Sequence, residues 1–188
     1  YRRLITMYAD VVMEKAALVE SQNDNGIREQ LEQIMGKMKS ERGVNSDAEL
    51  SAADLKELVG LYKIQVKISL GQEFPDDPWI QLWSGISAVF KSWNGKRAVS
   101  YRKIENIPGE WGTAVNVQAM VFGNMGDNCA TGVGFTRNPA TGENLFFGEW
   151  LSNAQGEDVV AGIRTPNPLN NSTRTEGRED LPSLEEIM

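Results

Sequence analysis

Near residue 100 of this 188-residue chain the spacing of apolar side chains changes from the three-to-four-residue step of a helix to the two-residue step of a strand. Before that point Leu4, Ile5, Tyr8, Val11, Val12 and Val19 fall mostly at helical spacing, and Ile27, Leu31, Ile34, Met35 and Met38 fit an i, i+4, i+7, i+8 stripe. Ser51 and Asp54, close to a capping box, announce a third helix ahead of Leu55, Leu58, Val59 and Tyr62. FPDDP, residues 74–78, interrupts the chain with two prolines. Trp79, Leu82, Trp83, Ile86, Val89, Phe90 and Trp93 then make the strongest apolar stripe in the sequence, read as a helix packing on a domain rather than a cofactor box. After the change, Val115, Val117, Ala119 and Val121 alternate with Asn116, Gln118, Met120 and Phe122 in TAVNVQAMVF, residues 113–122, which predicts a two-faced strand. TGVGFTR and NLFFGEWL predict two more, joined at hairpin distances by the turn-rich GNMGDN and RNPATGEN. Helices first and strands afterwards predict an α+β fold, a helical N-terminal half followed by an antiparallel sheet with packing helices. Beyond Pro168, NNSTRTEGRED reads as a polar linker, and PSLEEIM opens a further helix.

The formal charge of -7 argues against nucleic acid as the main partner, because phosphate-backbone affinity needs a basic surface. No stretch approaches the roughly 18 consecutive apolar residues that span a bilayer, so no membrane is expected. The single cysteine, Cys129, forms no disulfide within the chain and suits a reducing compartment, cytoplasmic or the interior of an organelle. There is no histidine, which excludes His-based zinc sites, Ser-His-Asp and Cys-His nucleophiles, and phosphohistidine chemistry by these residues themselves. The opening YRRLITMYADVV lies inside a helical pattern without an initial Met, a cap or a signal peptide, so the chain is expected to be a segment of something longer. The glycines of GNMGDNCATGVGFTRNPATG form neither a Walker A loop nor a dinucleotide fingerprint and read as turn glycines.

Chemistry concentrates in FGEWLSNAQGEDVVAGIRTP, residues 147–166, where Glu149, Glu157 and Asp158 stand among apolar side chains and the nearest cation is Arg164. Carboxylates near a triphosphate imply an intervening metal, since at about 6 Å and an effective dielectric of about 20 each like-charge pair costs roughly 3 kcal/mol. Mg²⁺ is the expected ion, taking oxygen from one or two carboxylates and from the phosphates. Strand alternation puts Glu149 on the face of Leu145, Phe147 and Leu151, where an uncompensated acid is expensive. It is either a metal ligand or an edge-strand acid reaching solvent. Gln155 adds a neutral oxygen and Glu157 a second acid, although Glu157 and Asp158 also suit the first turn of a helix before VVAG. Arg137 and Arg164 can meet phosphate oxygens with a guanidinium fork, or make ordinary surface pairs. Lys91, Lys96, Arg97, Arg102 and Lys103 carry no acid among them and form either a solvated helix end or an anion attractor.

The run NIPGEWGTAVNVQAMVFGNMGDNCATGVGFTRNPATGE, then GEWLSNAQGEDVVAGIRTPNP, closely resembles the nucleotide-binding domain of the pyruvate, phosphate dikinase family. YRRLITMYADVVM, DAELSAADLKELV and FPDDPWIQLWSGISAVFKSWN resemble the segments that precede it there. The resemblance implies a partial ATP-grasp-like domain: residues 1–74 a helical insert, 75–100 a connecting helix packed on the first lobe, 101–168 the second lobe, and 169–188 the way toward a phosphohistidine domain. It implies a phosphotransferase that makes phosphoenolpyruvate, AMP and pyrophosphate from pyruvate, ATP and phosphate through a histidine that this chain lacks. By the same resemblance Gln118 and Met120 match the place where adenine is held. Glu149, with Gln155 and Glu157, matches the Mg²⁺ and polyphosphate region, and Arg137 and Arg164 match positions where positive charge meets phosphate. The family's glycine-rich phosphate loop, histidine domain and pyruvate barrel are not among these residues, so the chain alone is expected not to turn over. The parent is expected to be a homodimer. A related phosphoenolpyruvate synthase or polysaccharide dikinase, or a non-catalytic nucleotide-binding module, is the alternative.

Overall fold

The computed structural model describes residues 1–16, 25–162, 164–174 and 181–187, and the chain divides into two compact units, Tyr1–Asn116 and Val117–Met188. The first is helical and the second is built on a small antiparallel sheet, so the architecture is α+β.

In the first unit α1 (Arg2–Tyr8) runs directly into a π-helical stretch, Ala9–Lys15, closed by the bond from Ala16 N–H to the Val11 carbonyl five residues back (3.0 Å). The wider winding carries the buried face from Ile5 and Tyr8 of α1 on to Ala9 and Met13 and leaves Val11 exposed; Leu4, in the ordinary helix before it, is exposed as well, whereas helical spacing puts both with the core residues. The winding also turns Glu14 inward, where Oε1 accepts from the Ile27 N–H (3.0 Å) at the start of α2 (Ile27–Arg42). A carboxylate there answers an orphan donor and the positive end of the helix. Val19 lies outside the described residues. Ile27, Leu31, Met35 and Met38 of α2 pack against Leu58, Tyr62, Val66 and Leu70 of α3 (Ala52–Leu70), as the apolar stripe of α2 predicts. Between these helices Ser69 Oγ and Gln65 Nε2 both donate to Gln30 Oε1 (2.6 and 2.8 Å), which satisfies polar groups that burial would otherwise penalise.

The caps follow the sequence. Asp54 N–H donates to Ser51 Oγ (3.2 Å) and Ser51 N–H to Asp54 Oδ2 (3.0 Å), a complete capping box. Asp77 accepts from the N–H groups of Trp79 (2.7 Å) and Ile80 (3.3 Å) to start α4 (Pro78–Ser92), with Pro78 in the first turn. The apolar stripe of α4 is only partly used: Ala88 is buried, but Trp79 and Trp83 remain 67% and 64% exposed. In α5 (Lys96–Ile104) the basic cluster separates into two kinds of cation. Arg102 is buried, stacks on Trp93 with its guanidinium carbon 3.9 Å from the ring centre, and donates to the Trp93 carbonyl (2.5 Å). Lys96, Arg97 and Lys103 stay in solvent.

The second unit is a three-stranded sheet in the order β1–β2–β3, with β1 (Ala130–Phe135), β2 (Phe147–Ser152) and β3 (Asn167–Pro168) all antiparallel to their neighbours. TGVGFTR and NLFFGEWL therefore pair as the hairpin the turn signals predict. The third strand is not the predicted one. Residues 113–122 carry no regular secondary structure, and the third place falls to two residues on the far side of β2. Alternation defines the faces a segment would present but not whether a neighbour exists to pair with it; here Met120 and Val121, on opposite faces, are 73% and 93% exposed.

One sheet face holds Leu151 and Val133 beneath Val159 of α6 (Gly156–Val160), with Ala154 completing that small core. On the other face Leu169 lies across Gly132, Gly134 and Gly148, beside buried Trp150. A Cβ on Gly148 would sit 2.2 Å from Leu169 Cδ1 and 2.4 Å from the Val133 carbonyl oxygen. The C-terminal residues return to this side: Glu185 N–H donates to the Leu169 carbonyl (3.2 Å), and Ser183, which caps α7 (Leu184–Ile187), donates to Asn171 Oδ1 (2.7 Å). No helix among the described residues is long and apolar enough to cross a membrane.

Two outcomes test this description. Gly148→Ala should destabilise the second unit by about 1–3 kcal/mol, the range for overpacking. Trimming Leu169 to Ala in the same molecule should recover only part of that loss, because the Val133 carbonyl stays in place; thermal unfolding of both variants measures it. The Asp54 carboxyl is held down to about 2, chiefly by the Ser51 hydroxyl and next by Arg42. A depressed pKa stabilises above the unfolded value and is lost as pH falls through the folded one. The melting-temperature gap between wild type and Asp54→Asn should therefore be constant above about pH 5 and close between about pH 4 and 2.

Candidate functional site

Sheet alternation decides which candidate groups share a side. Phe147, Glu149 and Leu151 project to one face of β2, and their cross-strand partners Phe135, Val133 and Thr131 project with them. This is the face that α6 covers through Val159. Glu149 lies opposite Val133 on one flank and Pro168 on the other, half-buried in the central strand. It stands in the central strand of the sheet and not at an edge.

The turn from β2 into α6 carries the next group. Gln155 is the N-cap of α6, and its N–H donates to Asp158 Oδ2 (2.8 Å). Asp158 thus acts as a first-turn helix acid, and Glu157 stands exposed beside it in the same turn. The turn itself is fixed by main-chain contacts from three directions. Asn153 N–H donates to the Cys129 carbonyl (2.7 Å), Ala154 N–H to the Gly123 carbonyl (2.9 Å), and Thr131 Oγ1 to the Ala154 carbonyl (2.6 Å). Asn153 adopts a left-handed φ of 45°, which asparagine tolerates better than most side chains. Arg164 returns to this point and donates Nη1 to the Asn153 carbonyl (3.4 Å).

Gln155, Glu157 and Arg164 thereby gather around one end of the sheet, and Glu149 lies further along the covered face. Gln118 and Met120 are exposed in the segment that ends at Gly123, the residue bonded to Ala154, so that segment leads into the same turn. Arg137 is elsewhere. It follows the opposite end of β1 and donates Nη1 to the Gly142 carbonyl (3.2 Å) within the β1–β2 connection. The length of β1, roughly 17 Å at about 3.4 Å per residue step, lies between the ends of the sheet that the two arginines adjoin. Among the described residues no group of three or more acidic or cysteine side chains stands together as a metal cage. Sequence reasoning missed Gly123, Thr131 and Asn153. Gly123 and Asn153 contribute through backbone atoms and Thr131 through a hydroxyl that holds a backbone carbonyl, and the one available signal was an asparagine directly after a strand, in SNAQ.

The family described as "Pyruvate phosphate dikinase, AMP/ATP-binding domain" matches residues 14–180. The whole chain is 50% identical to 20% of the "Pyruvate, phosphate dikinase" of Rhizobium meliloti (strain 1021), and 97% of it is 50% identical to 19% of the protein of that name from Clostridium symbiosum. Identity to "Pyruvate, phosphate dikinase 1, chloroplastic" of Arabidopsis thaliana is 53% over 93% of the chain and 17% of that protein. The chain thus spans about a fifth of the length of these relatives. With nearly all of its residues inside the match, including both strands of the hairpin and the β2–α6 turn, the chain belongs to the pyruvate, phosphate dikinase family, as part of its AMP/ATP-binding domain.

Proposed function

We propose that this chain forms one wall of a Mg·ATP cleft in a pyruvate, phosphate dikinase. The parent would convert pyruvate, ATP and phosphate to phosphoenolpyruvate, AMP and pyrophosphate through a phosphohistidine carried elsewhere in the longer protein. The observation that carries this reading is 50% identity maintained over the full chain with a protein of that name. On this reading residues 1–74 are the helical insert, 75–100 the connecting helix on the first lobe of an ATP-grasp-like domain, 101–168 the second lobe, and 169–188 the approach to the phosphohistidine domain. The exposed tryptophans of α4 agree with a helix whose partner surface is the first lobe. The parent is proposed to be a homodimer and to work in the cytoplasm or an organelle interior.

Within the cleft Glu149, Gln155 and Glu157 are the residues that would hold Mg²⁺. Their donors are all hard oxygens, and two carboxylates plus an amide leave coordination positions for phosphate oxygens and water, which fits the ion's habit better than a closed protein cage would. When bound, the ion neutralises charge on the transferring phosphoryl group. The chain's own residues position. Glu149, its backbone anchored in a strand flanked on both sides, supplies a carboxylate from a fixed point. Gln155 is oriented by its place at the N-cap of α6. Arg164, tied to the Asn153 carbonyl, is proposed to meet phosphate oxygens at this end, and Arg137 a more distant part of the ligand or of the acceptor phosphate. Gln118 and Met120 lie in a segment whose backbone makes no hydrogen bond to another described residue before Gly123, so its N–H and C=O groups can read an adenine edge.

Calorimetric titration of Mg·ATP tests the cleft. A protein extended through the rest of the nucleotide domain should bind at least tenfold tighter than this chain alone, since each charge-assisted contact is worth about 1.5–3 kcal/mol; equal affinities would sink the two-wall reading. In the full-length enzyme Glu149→Gln should lower AMP formation roughly ten- to a hundredfold and leave exchange between pyruvate and phosphoenolpyruvate intact. Loss of both activities would identify Glu149 as a structural acid.

A further inference from the structure

Thr131 lies opposite Leu151 on the sheet face shared by Glu149 and α6. Its hydroxyl donates to the carbonyl of Ala154 at 2.6 Å, and its methyl carbon lies 4.0 Å from the place a Cβ on Gly156 would occupy. The same hydroxyl sits hard against Gly123, where an added Cβ would be 2.0 Å from Thr131 Oγ1. Ala154 is fully buried, and its own N–H goes to the Gly123 carbonyl at 2.9 Å. Ala154 is therefore held from two sides: Thr131 satisfies the carbonyl, and the end of the segment bearing Gln118 and Met120 satisfies the N–H. A buried backbone group has no water to fall back on, so loss of the Thr131 donor leaves the Ala154 carbonyl unpaired and removes the bond that holds the turn in place.

Resting on the reading in which Gln155 helps to hold the metal and the 118–120 segment holds adenine, we infer that Thr131 is a positioning residue of the nucleotide site. Its hydroxyl locks the Gln155 turn against Gly123 and so fixes the span between the groups that receive the two ends of the nucleotide. The hydroxyl touches neither ligand, and its effect passes wholly through Ala154. A misplacement of the turn changes how well both ends are met at once, which is a loss of Mg·ATP affinity rather than of chemistry at the phosphohistidine.

The experiment uses the full-length dikinase that carries this span, with Thr131→Val, Thr131→Ser, Gln155→Ala and Glu149→Gln. KM for Mg·ATP in AMP formation, the pyruvate–phosphoenolpyruvate exchange rate and the melting temperature are read for each. Thr131→Val should raise KM for Mg·ATP roughly tenfold while exchange is unchanged, and Thr131→Ser, which keeps the hydroxyl, should restore it. An unchanged KM in Thr131→Val beside a raised one in Gln155→Ala overturns the positioning inference and leaves the site reading standing. Gln155→Ala and Glu149→Gln that both leave KM for Mg·ATP and the rate of AMP formation unchanged overturn the site reading, and the inference with it. Should valine prevent folding, Thr131→Ala is compared with Thr131→Ser at a temperature where both are folded; equal KM values for these two overturn the inference.

Discussion

A β-strand covered on both faces and paired on both edges loses much of its contact with water, and β2 is such a strand, with Gly148, Trp150 and Leu151 buried and Phe147, Glu149 and Ser152 half-buried. β1 and β3 take its hydrogen bonds, α6 covers one face and Leu169 the other. Each sequence choice in FGEWLS answers that condition. Gly148 leaves the space that Leu169 fills, Trp150 and Leu151 supply buried apolar mass, and Glu149 brings a carboxylate to a place where only a charged or polar counterpart makes it tolerable. Fold and candidate site are thus linked: the packing that makes the strand central also fixes the backbone from which its acid projects.

The first unit solves a different problem. Its helices are joined by an apolar core from Ile5 to Phe74, but their mutual register is specified by polar groups placed inside it. Gln30, Gln65 and Ser69 satisfy one another across the α2–α3 contact, and such a set fits only one sliding position. Tyr8 meets Phe74 edge to face, with ring centres 5.4 Å apart, which brings the FPDDP break back against α1. The break therefore ends a helix and returns the chain to the core before α4 starts.

Much of this is legible in the residues. The long helices show because a 3.6-residue period repeated over several turns is hard to imitate, and their starts show because Ser51–Asp54 and Asp77–Pro78 are local chemistry. The hairpin shows for the same reason, two runs separated by turn residues. What escaped depends on partners far away in sequence. TAVNVQAMVF has the alternation of a strand but no neighbour among the described residues, while Asn167–Pro168 pairs with β2 and is too short, and too rich in proline, to announce itself. The site divides the same way. Glu149 and Gln155 were visible as acid and amide in an apolar setting. Arg137 and Arg164 looked alike until the length of the sheet came between them, and Thr131 was invisible because its role is to hold a carbonyl.

The π-helical stretch after α1 has a meaning for how this segment can change. An α-helix tolerates most substitutions that keep its stripe, but Ala9–Lys15 is set by residue count: its closing bond reaches back five positions, not four. Removing one residue between Ala9 and Met13 would restore ordinary winding and rotate Glu14 by about 100°, carrying it away from Ile27 and leaving the first donors of α2 without their acid. The chain can vary the letters of ADVVMEK more freely than their number.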